Sequence, residues 1–449
     1  MSDRVPGAAS EPGGLPPEQL PSASGPLTGT RPAEVPPAPR SNQLMREILR
    51  GSVATTVLAI VASMIVGGIL IAVTNEDVQK ASGYFFARPQ DTFAAIWQAV
   101  AGGYYALFQG AVINPEADTF EKVIRPLTNT LGFAAPLIAA GLGVALAFRS
   151  GLFNIGARGQ MLVACAVAAL ASFELDLPMW IHLPLTIVAG IVGGALWGAI
   201  AGLLKARTGA HEVIVTIMLN YVALYLVRWL IRTPGLLQKP GSNQPISMAT
   251  PDTAQFPSLF GDQFPLLNWG FPAVVVATVI VWWLIEHSSL GFRLRAVGEN
   301  PNAARAAGIS VQRMYVYAML FAGGLAGLAG MNQILGSVTT GFGDGIDAGI
   351  GFDAITVALL GRSRAWGTFW AGLLFGALKA GSFTMQAAQS IPVDIVLVVE
   401  SLIVLFIAAP PLVRTIFFLP KDDSERSAGK RARLARRRER DDEHKAVAS

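Results

Sequence analysis

Three ionisable residues interrupt apolar stretches late in the chain: Asp353, Lys379 and Glu400. A charge at the centre of a membrane helix is unfavourable by about 2.5 to 3.5 kcal/mol on insertion scales, so such residues usually pair or face a cavity. Lys379 and Glu400 are central in consecutive apolar segments, which predicts a structural ion pair in preference to proton coupling. Asp353 lies near glycines, where a bent or re-entrant helix can face water. It is a candidate for a solute path, with a hydrogen bond between helices as the simpler alternative.

A second set of residues lies in segment 288–313, SSLGFRLRAVGENPNAARAAGISVQR, which is long for a connection between helices. The residue before a proline is biased away from the α region, so Asn300 fits a turn or N-cap and Pro301 fits the first helical position. The pattern predicts two short helices, the second over 301–307. Its alanines and interspersed arginines suit docking into a cleft of another protein, and a solvated basic loop is the alternative.

Nucleotide hydrolysis and metal chemistry lack their usual residues in this sequence. A Walker A loop needs a Gly-Lys-Ser/Thr ending, but the single Gly-Lys pair, Gly429 and Lys430, is followed by Arg431. Cys165 is the single cysteine, four histidines leave little room for a zinc site, and no cluster has metal-ligand spacing. We therefore expect no catalytic site, no metal and no cofactor bound by this chain, and an energy source elsewhere if the protein pumps.

The elements that position these residues are membrane helices. Of the 449 residues 52% are hydrophobic and 14% are charged, against roughly a quarter charged in soluble domains. The predicted fold class is an all-α polytopic membrane protein with about ten transmembrane helices. The candidates are 52–74, 126–148, 159–173, 178–204, 213–227, 265–285, 314–343, 348–360, 365–388 and 391–409. Segment 93–114 suits a helix lying in the membrane interface at least as well and is not counted.

Both ends of the chain are predicted to be cytoplasmic. Lys and Arg are enriched in cytoplasmic loops, and with the N-terminus inside every inside loop is basic. The short outside connections 174–177, 344–347 and 389–390 carry no basic residue. The resulting domains are a disordered Pro-rich tail over 1–50, a transmembrane domain over 51–412 and a basic cytoplasmic tail over 413–449.

Glycines recur at every fourth position in one predicted helix: Gly190, Gly194, Gly198 and Gly202. Such a face lets a neighbouring backbone approach closely. We interpret it as tight packing within one bundle, in preference to a seam between two subunits.

Three stretches resemble ABC-importer permeases of the branched-chain amino acid, ribose and nucleoside permease superfamily, closest to its nucleoside and simple-sugar branch. LGFRLRAVGENPNAARAAGI, from Leu290, is similar to the coupling loop of that superfamily. SGLFNIGARGQMLVACAVAA, from Ser150, resembles an early cytoplasmic-loop signature, and GFGDGIDAGIGFDAITVALLGRSRAWGT, from Gly341, resembles the glycine-rich late segment. The resemblance implies a bundle like a type II importer, paired with a second permease subunit, two ATPase subunits that use ATP, and a substrate-binding lipoprotein.

The resemblance also implies roles for individual residues. Those expected to couple to the ATPase are Arg295, Glu299, Asn300, Pro301, Ala303, Ala304 and Gly308. Asn154 and Gln160 belong to the second signature and, with Asn220, Asn332 and Asp353, are candidates for the substrate path. For Asn154 a capping or interhelical hydrogen bond is the favoured alternative. Translocation would follow alternating access without covalent chemistry.

Two other interpretations stay open at the level of sequence. An ion-coupled secondary transporter of a small polar solute would use Asp353, Lys379 and Glu400 and need no ATPase. A membrane enzyme is less favoured, because no nucleophile stands beside a base. The basic stretch RARLARRRER from Arg431 suits anionic lipid better than nucleic acid, and a solvated orientation signal is the alternative.

Overall fold

The computed structural model describes residues 52–261 and 263–409, together with Leu412 and Thr415. The predicted Pro-rich tail over 1–50 lies outside the described residues. So does the basic tail over 413–449, apart from Thr415.

Within the described residues the regular structure is helical, and β-pairing is limited to two isolated bridges, Gln238 with Ser247 and Ser258 with Asn268. The α-helices in chain order are α1 Ser52–Thr74, α2 Glu76–Ser82, α3 Pro89–Ala111, α4 Phe120–Arg149, α5 Ala157–Glu174, α6 Met179–Thr208, α7 Glu212–Leu230, α8 Gly270–His287, α9 Ser289–Glu299, α10 Pro301–Ala306, α11 Val311–Asn332, α12 Ile350–Leu360, α13 Ala365–Gln389 and α14 Asp394–Ala408. A 3-10 turn, Asp252–Ala254, and a π-helical turn, Gln333–Ser337, complete the elements.

Six stretches in the described chain are long and apolar enough to cross a membrane: Val57–Thr74, Phe120–Arg149, Met179–Thr208, Glu212–Leu230, Gly270–His287 and Val311–Ser337. Helix α12 is apolar but shorter. This confirms the helical membrane fold class, whereas the count of ten spans and the cytoplasmic termini remain predictions. The uncounted segment 93–114 forms most of α3, which packs against α13 where Gly381 contacts Leu107.

Helix α4 is the centre of the bundle. Every residue from Ala134 to Ala147 is buried, and α4 contacts α8, α11, α12 and α13. Its close contact with α13 needs small residues, since a Cβ added at Gly376 would meet the backbone nitrogen of Ala134 at 2.7 Å. The burial of α4 on all sides explains why its sequence is apolar without one polar face.

The glycine face of α6 packs against α11 of the same chain, as predicted. A Cβ at Gly194 would meet the carbonyl oxygen of Gly323 at 2.5 Å, and one at Gly202 would meet the Cα of Val316 at 2.9 Å. The two backbones therefore approach as closely as the missing side chains allow. This confirms packing within one bundle as the role of the repeat.

The predicted helix 314–343 is confirmed as far as Ser337 and is wrong over its last six residues, 338–343. Helix α11 ends at Asn332, the π-helical turn follows, and the chain is not helical from 338 to 349. Gly341 has a φ of +116°, which an L side chain rarely adopts. The freed backbone groups bond instead to the α7–α8 connection: Ser247 N–H donates to the Phe342 carbonyl at 2.9 Å and Thr250 N–H donates to the Thr339 carbonyl at 2.8 Å.

The two short helices predicted in 288–313 are confirmed as α9 and α10. Asn300 ends α9 and caps α10, where its side-chain oxygen accepts hydrogen bonds from the N–H groups of Asn302 at 3.0 Å and Ala303 at 3.1 Å. Helix α10 ends at Ala306, one residue before the predicted end, and Gly308 follows with a φ of +79°.

We expect Gly194→Ala to destabilise the protein by about 1 to 3 kcal/mol, because the new methyl group overpacks a backbone contact. Gly324→Ala is the matched control, since its Cβ would meet nothing closer than 3.5 Å across the same pair of helices. Thermal unfolding of the detergent-solubilised protein, followed by fluorescence-detected size exclusion, measures both. Equal stability of the two variants would contradict the close packing of α6 and α11.

Candidate functional site

The surface of α10 consists of small and basic residues. Asn302, Ala303, Arg305, Ala306, Ala307 and Gly308 are all exposed. Beneath them, Leu294 and Val297 of α9 are each 1% exposed and belong to the main core. The segment is therefore a shallow platform whose outer face has no large apolar side chain.

Ala304 does not contribute to that outer face, contrary to the sequence expectation. It is 4% exposed and packs into the core of its own chain. The reason is helical geometry: with Asn300 as the cap, position 304 points inward while Ala303 and Ala307 point outward. Among the other residues assigned to coupling, Glu299 and Asn300 are exposed, and Pro301 is half-buried at the first position of α10.

Arg295 is held at the base of the platform. Its Nη1 lies 3.1 Å from Glu286 Oε2, and Arg149 Nη2 lies 3.9 Å from the other oxygen of the same carboxylate. Gly298 packs directly on the chain after α4, because a Cβ there would meet the Gly151 nitrogen at 2.9 Å. These contacts join α4, α8 and α9.

The residues Asn154, Gln160 and Asn220 form one buried amide cluster. Asn154 Nδ2 donates to Gln160 Oε1 at 3.2 Å, and Asn154 Oδ1 accepts from the Gly156 N–H at 2.9 Å. Asn220 Oδ1 accepts from the Gly159 N–H at 2.8 Å, and its Nδ2 donates to the Ile155 carbonyl at 2.9 Å. The three side chains are 0%, 1% and 6% exposed.

The geometry of the cluster supports the structural alternative for these residues. Their amide groups satisfy the backbone of the irregular segment 152–156, which would otherwise hold unpaired groups inside the bundle. Asn332, at 4% exposed, lies apart from this cluster and donates to the Leu328 carbonyl one turn earlier at 3.0 Å.

An ion pair between Arg158 and Asp347 lies where two helices are interrupted. Arg158 Nε is 3.2 Å from Asp347 Oδ1, and the carboxylate side chain is 4% exposed. Arg158 follows the irregular segment 152–156, and Asp347 belongs to the non-helical segment before α12. The two breaks therefore face each other inside the bundle.

This contact corrects the predicted topology. With the N-terminus inside, the predicted spans place Arg158, between 126–148 and 159–173, in an inside loop and Asp347 in an outside connection, yet the two side chains are 3.2 Å apart. Helix α12 is 11 residues long, about 16 Å at 1.5 Å per residue, which is half of a hydrocarbon core of about 30 Å. Its C-terminal end lies beside Arg149, whose Nε donates to the Ser363 carbonyl at 2.9 Å. Helix α12 is thus a half-length helix that begins inside the bundle, close to the buried carboxylate of Asp347.

The three ionisable residues Asp353, Lys379 and Glu400 line one cavity of about 370 Å³ between α12, α13 and α14. The direct ion pair predicted between Lys379 and Glu400 is wrong: in the part of the chain described, no carboxylate oxygen lies within 4.0 Å of Lys379 Nζ. Lys379 donates instead to the Ala348 carbonyl at 3.1 Å. The irregular backbone before α12 supplies this acceptor, which the apolar pattern of the sequence did not reveal.

The cavity combines hydrogen-bonding groups with aromatic rings. Two carboxylates can accept hydrogen bonds and Lys379 can donate them, while Phe352, Phe375 and Phe383 line much of the remaining wall. Ser382 also lines the cavity, but its hydroxyl donates to the Lys379 carbonyl at 2.8 Å. Such a lining suits a polar solute with hydroxyl groups and a flat ring.

Several ion pairs were not predicted from the sequence, and two of them involve aspartates of the late glycine-rich segment: Arg158 with Asp347 and Arg228 with Asp344. The available signal was the density of glycine and aspartate in GFGDGIDAGIGFD, which is typical of an irregular segment. Partners far apart in sequence cannot be assigned from that signal.

We expect Arg158→Gln and Asp347→Asn each to lower the folded yield and to destabilise the protein by about 1 to 3 kcal/mol, because one charged group loses its partner. The double variant should recover part of the loss. Arg228→Gln is the control, since both side chains of its pair are about 40% exposed and such pairs contribute about 0 to 1 kcal/mol. Additive losses in the double variant would exclude a coupled pair.

The family described as branched-chain amino acid transport system, permease component, matches residues 127–408. A guanosine ABC transporter permease protein of Bacillus subtilis is 39% identical over 321 residues, covering 71% of this chain and 88% of that protein.

Two further relatives are similar over much of their length. A glucose ABC transporter permease protein of Haloferax volcanii is 32% identical over 361 residues, covering 79% of this chain and 86% of its own. A nucleoside ABC transporter permease protein of Lactococcus lactis is 35% identical over 303 residues, covering 66% and 82%. No solved structure matches the chain.

Proposed function

The chain belongs to the family of branched-chain amino acid transport system permease components, and we propose from this premise that it carries nucleosides or related simple sugars into the cell. It is a permease subunit of an ABC importer and a multi-pass protein of the plasma membrane. As such it is a transport component and not an enzyme. The observation that carries the proposal on substrate is the similarity to guanosine, nucleoside and glucose permease proteins.

The shape and chemistry of the 370 Å³ cavity support this class of substrate. A nucleoside presents ribose hydroxyls and a flat base, and a simple sugar presents hydroxyls alone. Asp353 and Glu400 accept hydrogen bonds from hydroxyl groups, while the phenyl rings can stack on a base.

The energy for transport comes from partner ATPase subunits, and this chain binds no cofactor of its own. The ATPase seats on the exposed face of α10, where Ala303, Ala306 and Ala307 leave room for a close contact. A second permease subunit completes the pathway, and a substrate-binding lipoprotein delivers the solute. ATP binding closes the ATPases, α9 and α10 move with them, and the bundle alternates between outward and inward opening.

Two neighbouring alanines test the coupling surface. Ala303→Glu places a longer charged side chain on the exposed face of α10, where its uncompensated desolvation in an interface is unfavourable by roughly a few kcal/mol. Expression and folding should survive, while co-purification with the ATPase and ATP-driven uptake are lost. Ala304→Glu is the matched comparison: at 4% exposure it should lower the folded yield itself.

Binding of solute by the separate lipoprotein should be unchanged in the Ala303→Glu strain. Wild-type uptake and ATPase retention in that variant would show that Ala303 does not lie in the interface. The same result at Ala306 and Ala307 would remove α10 as the coupling surface.

Uptake in cells that express the complete transporter tests the substrate class. Labelled guanosine should accumulate, and unlabelled nucleosides should compete with it more strongly than glucose or leucine. Asp353→Asn should reduce uptake about tenfold, the equivalent of one charge-assisted hydrogen bond of about 1.4 kcal/mol, with normal membrane yield. Asp394→Asn is the control, since Asp394 is exposed at the start of α14 and lies outside the cavity lining.

Competition by leucine but not by nucleosides would overturn the substrate proposal while leaving the permease family intact. Wild-type uptake by the Asp353→Asn variant would show that this cavity is not part of the solute path.

A further inference from the structure

A second and larger cavity lies beside the coupling segment, between the end of α8 and the start of α13. Its volume is about 790 Å³, and it is separate from the cavity that contains Asp353. Three tryptophans and two arginines define its character: Trp282, Trp366, Trp370, Arg149 and Arg364. Nothing in the proposed transport cycle uses it.

The electrostatic environment of this cavity is positive. Among the described residues that line it, Glu286 is the one acidic group, and two arginines, Arg149 and Arg295, share that carboxylate at 3.9 and 3.1 Å. Arg364 is exposed at the N-cap of α13, and no side chain caps the first N–H groups of this helix. Uncapped N–H groups at a helix start add partial positive charge.

The mouth of the cavity is continuous with the outer apolar surface of the bundle. Trp370 is 65% exposed on α13, one turn beyond Trp366 at 39%. On α8, Trp283 and Ile280 are both 57% exposed, and Val276 is exposed one turn further along. In a multi-pass membrane protein these apolar faces meet acyl chains, and tryptophans concentrate where the chains meet the headgroups.

We propose that this cavity binds the headgroup of an anionic phospholipid from the adjacent leaflet. Arg149 and Arg364 hold the phosphate, the tryptophans contact the glycerol region, and the acyl chains lie along the exposed faces of α8 and α13. The leaflet is the cytoplasmic one if the coupling segment is cytoplasmic, as proposed above. A partner ATPase is the less suitable occupant, because the mouth of the cavity leads onto the apolar surface and not onto the polar face of α10.

A lipid bound in this cavity would also be linked to the coupling segment through charged side chains. Glu286 lies at the cavity wall and bonds Arg295 of α9, while Arg149 donates to the Ser363 carbonyl before α13. A phosphate bound by Arg149 would draw this guanidinium away from Glu286 or tighten the whole cluster around it. Anionic lipid is thereby expected to change the rate of ATP-driven uptake as well as to bind.

The test uses the full-length chain purified with its ATPase partners in nanodiscs of phosphatidylcholine, with and without phosphatidylglycerol. Native mass spectrometry measures the phosphatidylglycerol retained per complex. Arg364→Gln should lower retention about fivefold, the effect of one cationic side chain near an anionic leaflet. Trp370→Leu should also weaken retention, while Arg207→Gln is the control, because Arg207 is an exposed cation at the end of α6 outside this cavity.

Each outcome decides the proposal. Retention that falls in Arg364→Gln and not in Arg207→Gln supports a specific headgroup site. Equal retention in both variants overturns it. Inorganic phosphate that displaces phosphatidylglycerol completely would overturn the lipid assignment in favour of a soluble anion. Retention by the chain purified alone but not by the complex with its ATPases would overturn it in favour of the partner. Because retention is measured without transport, these results do not depend on which solute the protein carries.

Discussion

Backbone polar groups within a membrane bundle must find partners inside the protein, and the interrupted stretch 333–349 depends on this constraint most heavily. Helix α11 stops at Asn332, and the chain becomes helical again at Ile350. The α7–α8 connection satisfies the freed groups through bonds such as Ser247 N–H to the Phe342 carbonyl. Irregular backbone within a membrane-spanning bundle is tolerated where it is buried in protein or lines a cavity. Both conditions hold here, since Asp347 is buried on one side of the break and the Asp353 cavity opens on the other.

The second break, at 152–156, is stabilised by different means. The amides of Asn154 and Asn220 replace the missing helical hydrogen bonds, and Arg158 joins this break to the first through Asp347. On its other side the break begins at Gly151, which packs on Gly298 of α9. A continuous series of contacts therefore leads from the coupling segment to the middle of the bundle, which suits a protein that must convert motion at one face into opening of an internal path.

The rigid parts of the bundle complement these breaks. Helix α4 is buried along its inner length, and α6 and α11 are joined by glycines at backbone distance. Tight packing of this kind has discrete arrangements and does not deform continuously. Movement in such a bundle is therefore expected to occur where helices are interrupted, at the half-length helix α12 and at the neighbours that share its cavity.

Much of this protein follows from sequence alone. Hydrophobic length predicts the membrane helices, the Asn300-Pro301 pair predicts the division between α9 and α10, and the glycine repeat predicts the α6–α11 contact, because each depends on neighbours along the chain. The motifs around Ser150, Leu290 and Gly341 also identified the superfamily. Tertiary structure decided what depends on distant partners: that Ala304 faces the core, that Lys379 bonds the Ala348 carbonyl and not Glu400, and that Arg158 meets Asp347. An uncharged stretch predicts an apolar segment, but it does not predict where a helix breaks or which carbonyl a lysine contacts. Those features are set by the packing of segments that are remote in sequence.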